Sequence, residues 1–262
     1  MSVDPPEIPT PPAAPRAQAA GLSAKPWTFT EAAILFCPFA LPMMAAAFLP
    51  AAPGAPPRLT HALVDLVLYT AYAAVALGIV MNRHGLTLNQ TIGLGEGRAL
   101  RVIPLSIATG VLFVPVAFGL NLAAQFLLEQ MALAPERQDL VKQFEHAAGS
   151  ADHQVVLSLG LLAIVRAPLV EEVLFRGLLY PAAKNHIGSR AAMWLTSLLF
   201  AASHGSLLAA VPLAVFSVML TWQYERTGNL LSPICTHAVF NLVNVLIMLK
   251  VLPLEDWLPH AS

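Results

Sequence analysis

The chain has 262 residues, of which 57% are apolar or aromatic and 11% are charged, 14 Lys+Arg against 15 Asp+Glu. Soluble domains carry about a quarter charged residues, so this composition cannot clothe a water-soluble globule. Two cysteines exclude a disulfide-stapled scaffold, and a net charge of −1 offers no basic face to nucleic acid. What remains is an all-α polytopic membrane bundle.

Residues 1–26 hold seven of the 22 prolines and read as a disordered, Pro-rich tail. Apolar stretches follow near 28–50, 60–82, 102–131, 154–184, 189–205, 208–225 and 229–252. Each is of the order of the roughly 20 helical residues a bilayer requires. Pro38, Pro42, Pro104 and Pro115 fall inside the early stretches. Segment 132–152 carries Glu136, Asp139, Glu145 and Asp152 and reads as an exposed amphipathic segment. The stretches at 189–205 and 208–225 are nearly contiguous and predict a hairpin turning at His204–Gly205–Ser206. Tyr224 to Asn229 reads as a helix end with Gly228 at its cap and Asn229 opening the next span.

The expected architecture is thus about seven to eight transmembrane helices. Residues 27–150 are an N-terminal membrane region, 151–252 a core carrying the chemistry, and 253–262 a C-terminal tail. With seven spans, Arg16, Lys25, Arg83, Arg98, Arg101, Lys184, Arg190 and Arg226 fall on the side of the N-terminus. Arg58, Arg137, Lys142 and Lys250 fall on the other. The positive-inside bias then predicts a multi-pass protein of the cell membrane with a cytoplasmic N-terminus.

In a chain so poor in charge, Arg166, Glu171, Glu172 and Arg176 all lie in one span. Each ion at mid-bilayer costs roughly 2.5–3.5 kcal/mol on insertion scales. Glu172 and Arg176 stand four residues apart and can pair along the helix, whereas Glu171 projects about 100° away and has no partner at that spacing. His204 lies one turn after Phe200, and His237 and Asn241 share a helical face. At 1.5 Å per residue, Glu172 lies about 18 Å from Lys184, His204 about 21 Å from Arg190 and His237 about 17 Å from Arg226. These depths are alike and start from one side, so the residues predict a single polar cluster within the bilayer.

A carboxylate in such a site can act as general base, a histidine beside it can help hold water, and a second histidine with an amide can serve an oxyanion. No G-x-S-x-G elbow and no H-E-x-x-H pair is present. Glu171, His204 and His237 also make a His₂Glu donor set for zinc with water in the fourth position, and the residues leave both routes open. A non-catalytic membrane scaffold would keep the same residues for packing, and a proton-coupled transporter would also hold buried Glu and His, though no internal duplication is visible.

Glu171-Glu172-Val173-Leu174-Phe175-Arg176 resembles the EExxxR motif of the CPBP membrane proteins, which include the eukaryotic CAAX prenyl endopeptidase and bacterial bacteriocin-processing and self-immunity proteins. Phe200 to His204 resembles the family's FxxxH motif, and His237 to Asn241 its HxxxN motif. Tyr224 to Gly228 resembles the usual lead-in. The resemblance covers about 150–250 and implies intramembrane endoproteolysis of a membrane-associated protein or peptide, near its C-terminus or membrane segment. It implies Glu171 as the base that activates water, His204 as its partner, and His237 with Asn241 at the oxyanion. Glu172 and Arg176 would shape the site and Phe200 would line it. A bacteriocin-immunity role is the family's non-catalytic alternative.

Overall fold

The structure is a computed structural model describing residues 22–48, 58–94, 99–134 and 138–251. The C-terminal tail at 253–262 and positions 1–21 of the Pro-rich tail lie outside the described residues. Among those described, every regular element is helical. They run α1 (Phe29–Phe48), α2 (Leu59–His84), α3 (Leu88–Ile92), α4 (Ala99–Gln130), α5 (Asp139–Gly149) and α6 (His153–Leu161). A π-helical turn (Leu162–Arg166), α7 (Ala167–Glu172) and a second π-helical stretch (Val173–Leu179) follow. α8 (Tyr180–Ala202), α9 (Leu207–Thr227) and α10 (Leu231–Met248) complete the bundle.

Among the described residues five helical runs are long and apolar enough to cross a membrane, with His153–Ala202 as one of them, and Phe29–Pro42 is a shorter apolar helix. The stretches expected at 154–184 and 189–205 are this one run. They are divided at Gly188, whose φ of 78° interrupts the helix at a position that favours a residue without a Cβ. The expected hairpin is present: α8 ends at Ala202, and Ser206 caps α9 by accepting from the Ala209 amide. Gly228 ends α9 in the left-handed conformation. Asn229 does not stand at the N-cap of α10, which is Leu230; its Oδ1 accepts instead from the Leu231 amide, one position off the expected cap.

Within the segment 132–152, Asp139–Gly149 form α5, amphipathic as expected. Its Phe144 and Ala147 are buried against Val155, Leu159, Ala163 and Val245. The short α3 has a complete capping box, with Thr87 and Gln90 each satisfying the other's backbone N–H. It docks on the α9–α10 turn, where Leu230 N–H donates to the Ile92 carbonyl. Gly93 allows this approach: a Cβ there would stand 1.7 Å from the Gly228 carbonyl oxygen. Gly110 does the same for α4 against α10, since a Cβ would lie 2.8 Å from the Thr236 carbonyl oxygen.

Residues 22–28 form a strap across one end of the bundle, so residues 22–26 of the stretch read as disordered tail are docked. Leu22, Lys25 and Trp27 are buried. Leu22 N–H donates to the Glu225 carbonyl, Lys184 Nζ to the Leu22 carbonyl, and Asn185 Nδ2 to the Lys25 carbonyl. Trp27 Nε1 donates to the carbonyl of Leu178, inside the second π-helical stretch. The main apolar core joins this strap to α1, α2, the Val173–Leu179 stretch and α8.

Candidate active site

Pro168 explains why the span is irregular ahead of the glutamates. It has no N–H to give the Ile164 carbonyl, and its ring crowds that turn, so the helix widens over Leu162–Arg166. A second widening follows over Val173–Leu179, and the Glu pair lies on the short α-helical piece between them. π-helical turns are rare and concentrate at functional sites. No apolar pattern announces them, which is why the sequence reading missed them.

Glu172 is fully buried, and its Oε1 accepts from two donors: Arg176 Nη1 at 2.9 Å and His237 Nδ1 at 2.8 Å. Arg176 Nη2 reaches the Ser217 hydroxyl at 2.6 Å and the Ser217 carbonyl at 3.0 Å, and Nε reaches Thr221 Oγ1 at 3.3 Å. Its guanidinium also lies over the Phe200 ring, 4.8 Å from the centroid. The expected Glu172–Arg176 pair is therefore present and extends into α9 and α10. The signal for that extension was Ser217 and Thr221, two hydroxyls one helical turn apart in an otherwise apolar span.

Glu171 and Glu172 each bury an Oε2 with no hydrogen-bond partner, but Glu171, 6% exposed, has no donor on its other oxygen among the described residues, whereas Glu172 has two. His204 donates from Nδ1 to the Phe200 carbonyl at 2.7 Å, since a carbonyl only accepts. The same reasoning places a hydrogen on His237 Nδ1, facing the Glu172 carboxylate. Both histidines thus hold their Nδ1 side in protein contacts and leave Nε2 for other work. Phe200 is fully buried and packs against His204, His237 and Phe175, with centroids 4.8, 6.0 and 5.1 Å away. The Asn241 amide reaches across the bundle to the Ala163 carbonyl at 2.7 Å, in the first π-helical turn. One of its two N–H groups is thereby spent on joining α10 to the span of the glutamates.

The zinc alternative finds no ready donor set. Among the described residues no three His, Cys, Asp or Glu side chains gather as ligands. Glu171, His204 and His237 are not drawn together into such a set.

Residues 153–243 match the Rce1-like family, described as type II CAAX prenyl endopeptidase Rce1-like. Among curated proteins, the chain is 38% identical over 77 residues to the uncharacterized protein YpbD of Bacillus subtilis (strain 168), a match spanning 28% of this chain and 36% of that relative. No solved structure matches. The matched segment holds both π-helical turns, the Glu pair, both histidines and Asn241. It carries the motifs of the CPBP resemblance, so that among the described residues the chain is a helical bundle with five helices long and apolar enough to cross a membrane, in which residues 153–243 are similar to the Rce1-like family.

Proposed function

We propose that the protein is an intramembrane endopeptidase that hydrolyses a peptide bond near the C-terminus or membrane segment of a membrane-associated protein or peptide. The observation that carries the reading is the unequal environment of two adjacent buried carboxylates: Oε1 of Glu172 accepts from both Arg176 and His237, whereas among the described residues Glu171 has no hydrogen bond or ion pair to either oxygen. A buried polar atom without a partner costs about 1–3 kcal/mol, and a stable scaffold gains nothing by retaining it.

In this mechanism Glu171 takes a proton from water, and the resulting hydroxide oxygen bonds to the substrate carbonyl carbon while the carbonyl electrons move to oxygen. His204 Nε2 accepts a hydrogen bond from the same water and orients it. The oxyanion is met by His237, whose Nε2 donates when the ring carries its second proton, with the Glu172 carboxylate 2.8 Å from Nδ1 facing that charge. The remaining Asn241 N–H is the second donor. Glu171 then passes its proton to the leaving nitrogen as the C–N bond breaks. Glu172 and Arg176 hold His237 in place, and Phe200 walls the site. The lipid bilayer surrounds the reaction, with the N-terminus on the cytoplasmic side of the cell membrane.

The test compares N- and C-terminal peptides of membrane proteins from cells making the wild type or Glu171→Gln at equal abundance. Accumulation of a defined set of uncut precursors in the variant is expected. Identical termini in the two samples would overturn the assignment and leave the cluster a packing device.

A further inference from the structure

The mechanism leaves one charge of the span unused. Arg166 closes the first π-helical turn, and Ala163, three residues earlier, receives the amide of Asn241, which lies near the middle of α10. Arg166 therefore lies at about mid-height of the bundle, half-buried, about 7.5 Å along the helix axis from Glu171 at 1.5 Å per residue.

Its surroundings differ from those of Arg176 on the same span. All three nitrogens of Arg176 donate to protein acceptors. Arg166 Nε is buried with no hydrogen-bond partner, and the guanidinium rests over the Tyr69 ring of α2, 5.0 Å from its centroid. Among the described residues no carboxylate pairs with it. Tyr69 is steadied in turn by an edge contact with Phe39 at 6.0 Å. The ring holds the cation in place while leaving its in-plane donors unspent, and those donors match the two oxygens of a planar anion. A lipid phosphate lies at the edge of a hydrocarbon layer about 30 Å thick, not at its middle. The anion that reaches this depth is one carried in on a peptide.

We propose that Arg166 is an anion-recognition residue that takes a carboxylate of the bound peptide within the membrane. It would thereby fix which stretch of substrate lies before Glu171. The proposal rests on the reading of the chain as a peptide hydrolase. Binding tests it apart from cleavage.

Full-length Glu171→Gln protein in detergent micelles is titrated with a fluorescein-labelled ten-residue Leu/Ala peptide ending either in a free carboxylate or in a carboxamide. The acid is expected to bind about tenfold more tightly, as for a charge-assisted bidentate pair. Arg166→Gln should erase that preference. Arg166→Lys keeps the charge but not the planar fork, so it retains a reduced preference and guards against a Gln variant that fails to fold. Equal binding of acid and amide, no binding of either, or an acid preference that survives Arg166→Gln would overturn the proposal. So would an Arg166-dependent preference confined to phosphatidylglycerol over phosphatidylcholine nanodiscs, which would make the ligand a lipid. Because the probe is not cut, loss of the proteolytic reading through unchanged cellular termini would leave this result standing on its own.

Discussion

Glu171 and Glu172 are neighbours in sequence, but only Glu172 is held by donors, from Arg176 and His237, and substitution should separate them. Glu171→Gln, or alanine at His204 or His237, should lower processing at least about 100-fold, the usual contribution of a positioned acid or base. The Glu171→Gln protein should accumulate normally, since a neutral amide replaces a carboxylate oxygen that has no partner. Glu172→Ala or Arg176→Ala should instead cost about 3–5 kcal/mol of stability, because either leaves a buried charge unpaired. Immunoblots of membrane fractions beside the processing assay distinguish the two patterns. The identities of these residues were legible because ions in an apolar span are costly and therefore stand out. Their contacts were less so: helical spacing predicts Glu172–Arg176 but says nothing of His237 reaching across from α10 or of Asn241 turning to Ala163.

Between elements, the close approaches are made by glycines and by the strap. Gly93→Ala should destabilise the protein by more than about 1 kcal/mol, since φ is 77° and the new Cβ would collide with the Gly228 carbonyl. A lowered thermal midpoint and loss of the α3 dock, read by amide exchange at Leu230, are the measurements. Lys25 in the strap is buried and lies beside Lys184, and both effects hold its ammonium below the ordinary 10.5. The unfolded chain then binds the extra proton more readily, so stability should rise with pH between the lowered folded value and 10.5. Melting curves of wild type and Lys25→Met across that window should diverge, the wild type gaining relative to the variant. The apolar stretches themselves were visible in sequence because hydrocarbon length sets helix length. The strap was not, because a proline-rich composition conceals which few residues bury themselves.

For the whole molecule, the asymmetry of Lys and Arg predicts which ends of the helices face the cytoplasm. In a Cys37→Ser, Cys235→Ser background, a cysteine at Leu133 should react with a membrane-impermeant maleimide added outside intact cells. One at Asn185 should react only after the membrane is opened. The reverse pattern would invert the orientation and with it the side from which water reaches the site. The helical architecture of the described residues followed from composition and the length of the apolar stretches. The division of His153–Ala202 at Gly188 needed coordinates, since a single residue of positive φ leaves hydropathy unchanged.

The bond from Leu22 to Glu225 also has a consequence for the order in which the molecule is assembled. About 200 residues of chain separate the two partners, and Lys184, which grips the same strap, is itself made late. At roughly 5–20 residues per second of synthesis, Leu22 waits about 10–40 s for the surface it binds. Docking of the strap is therefore among the last events of maturation. Trp27 delivers its hydrogen bond to Leu178 only then, so the span bearing the glutamates receives that restraint after the helices have been inserted.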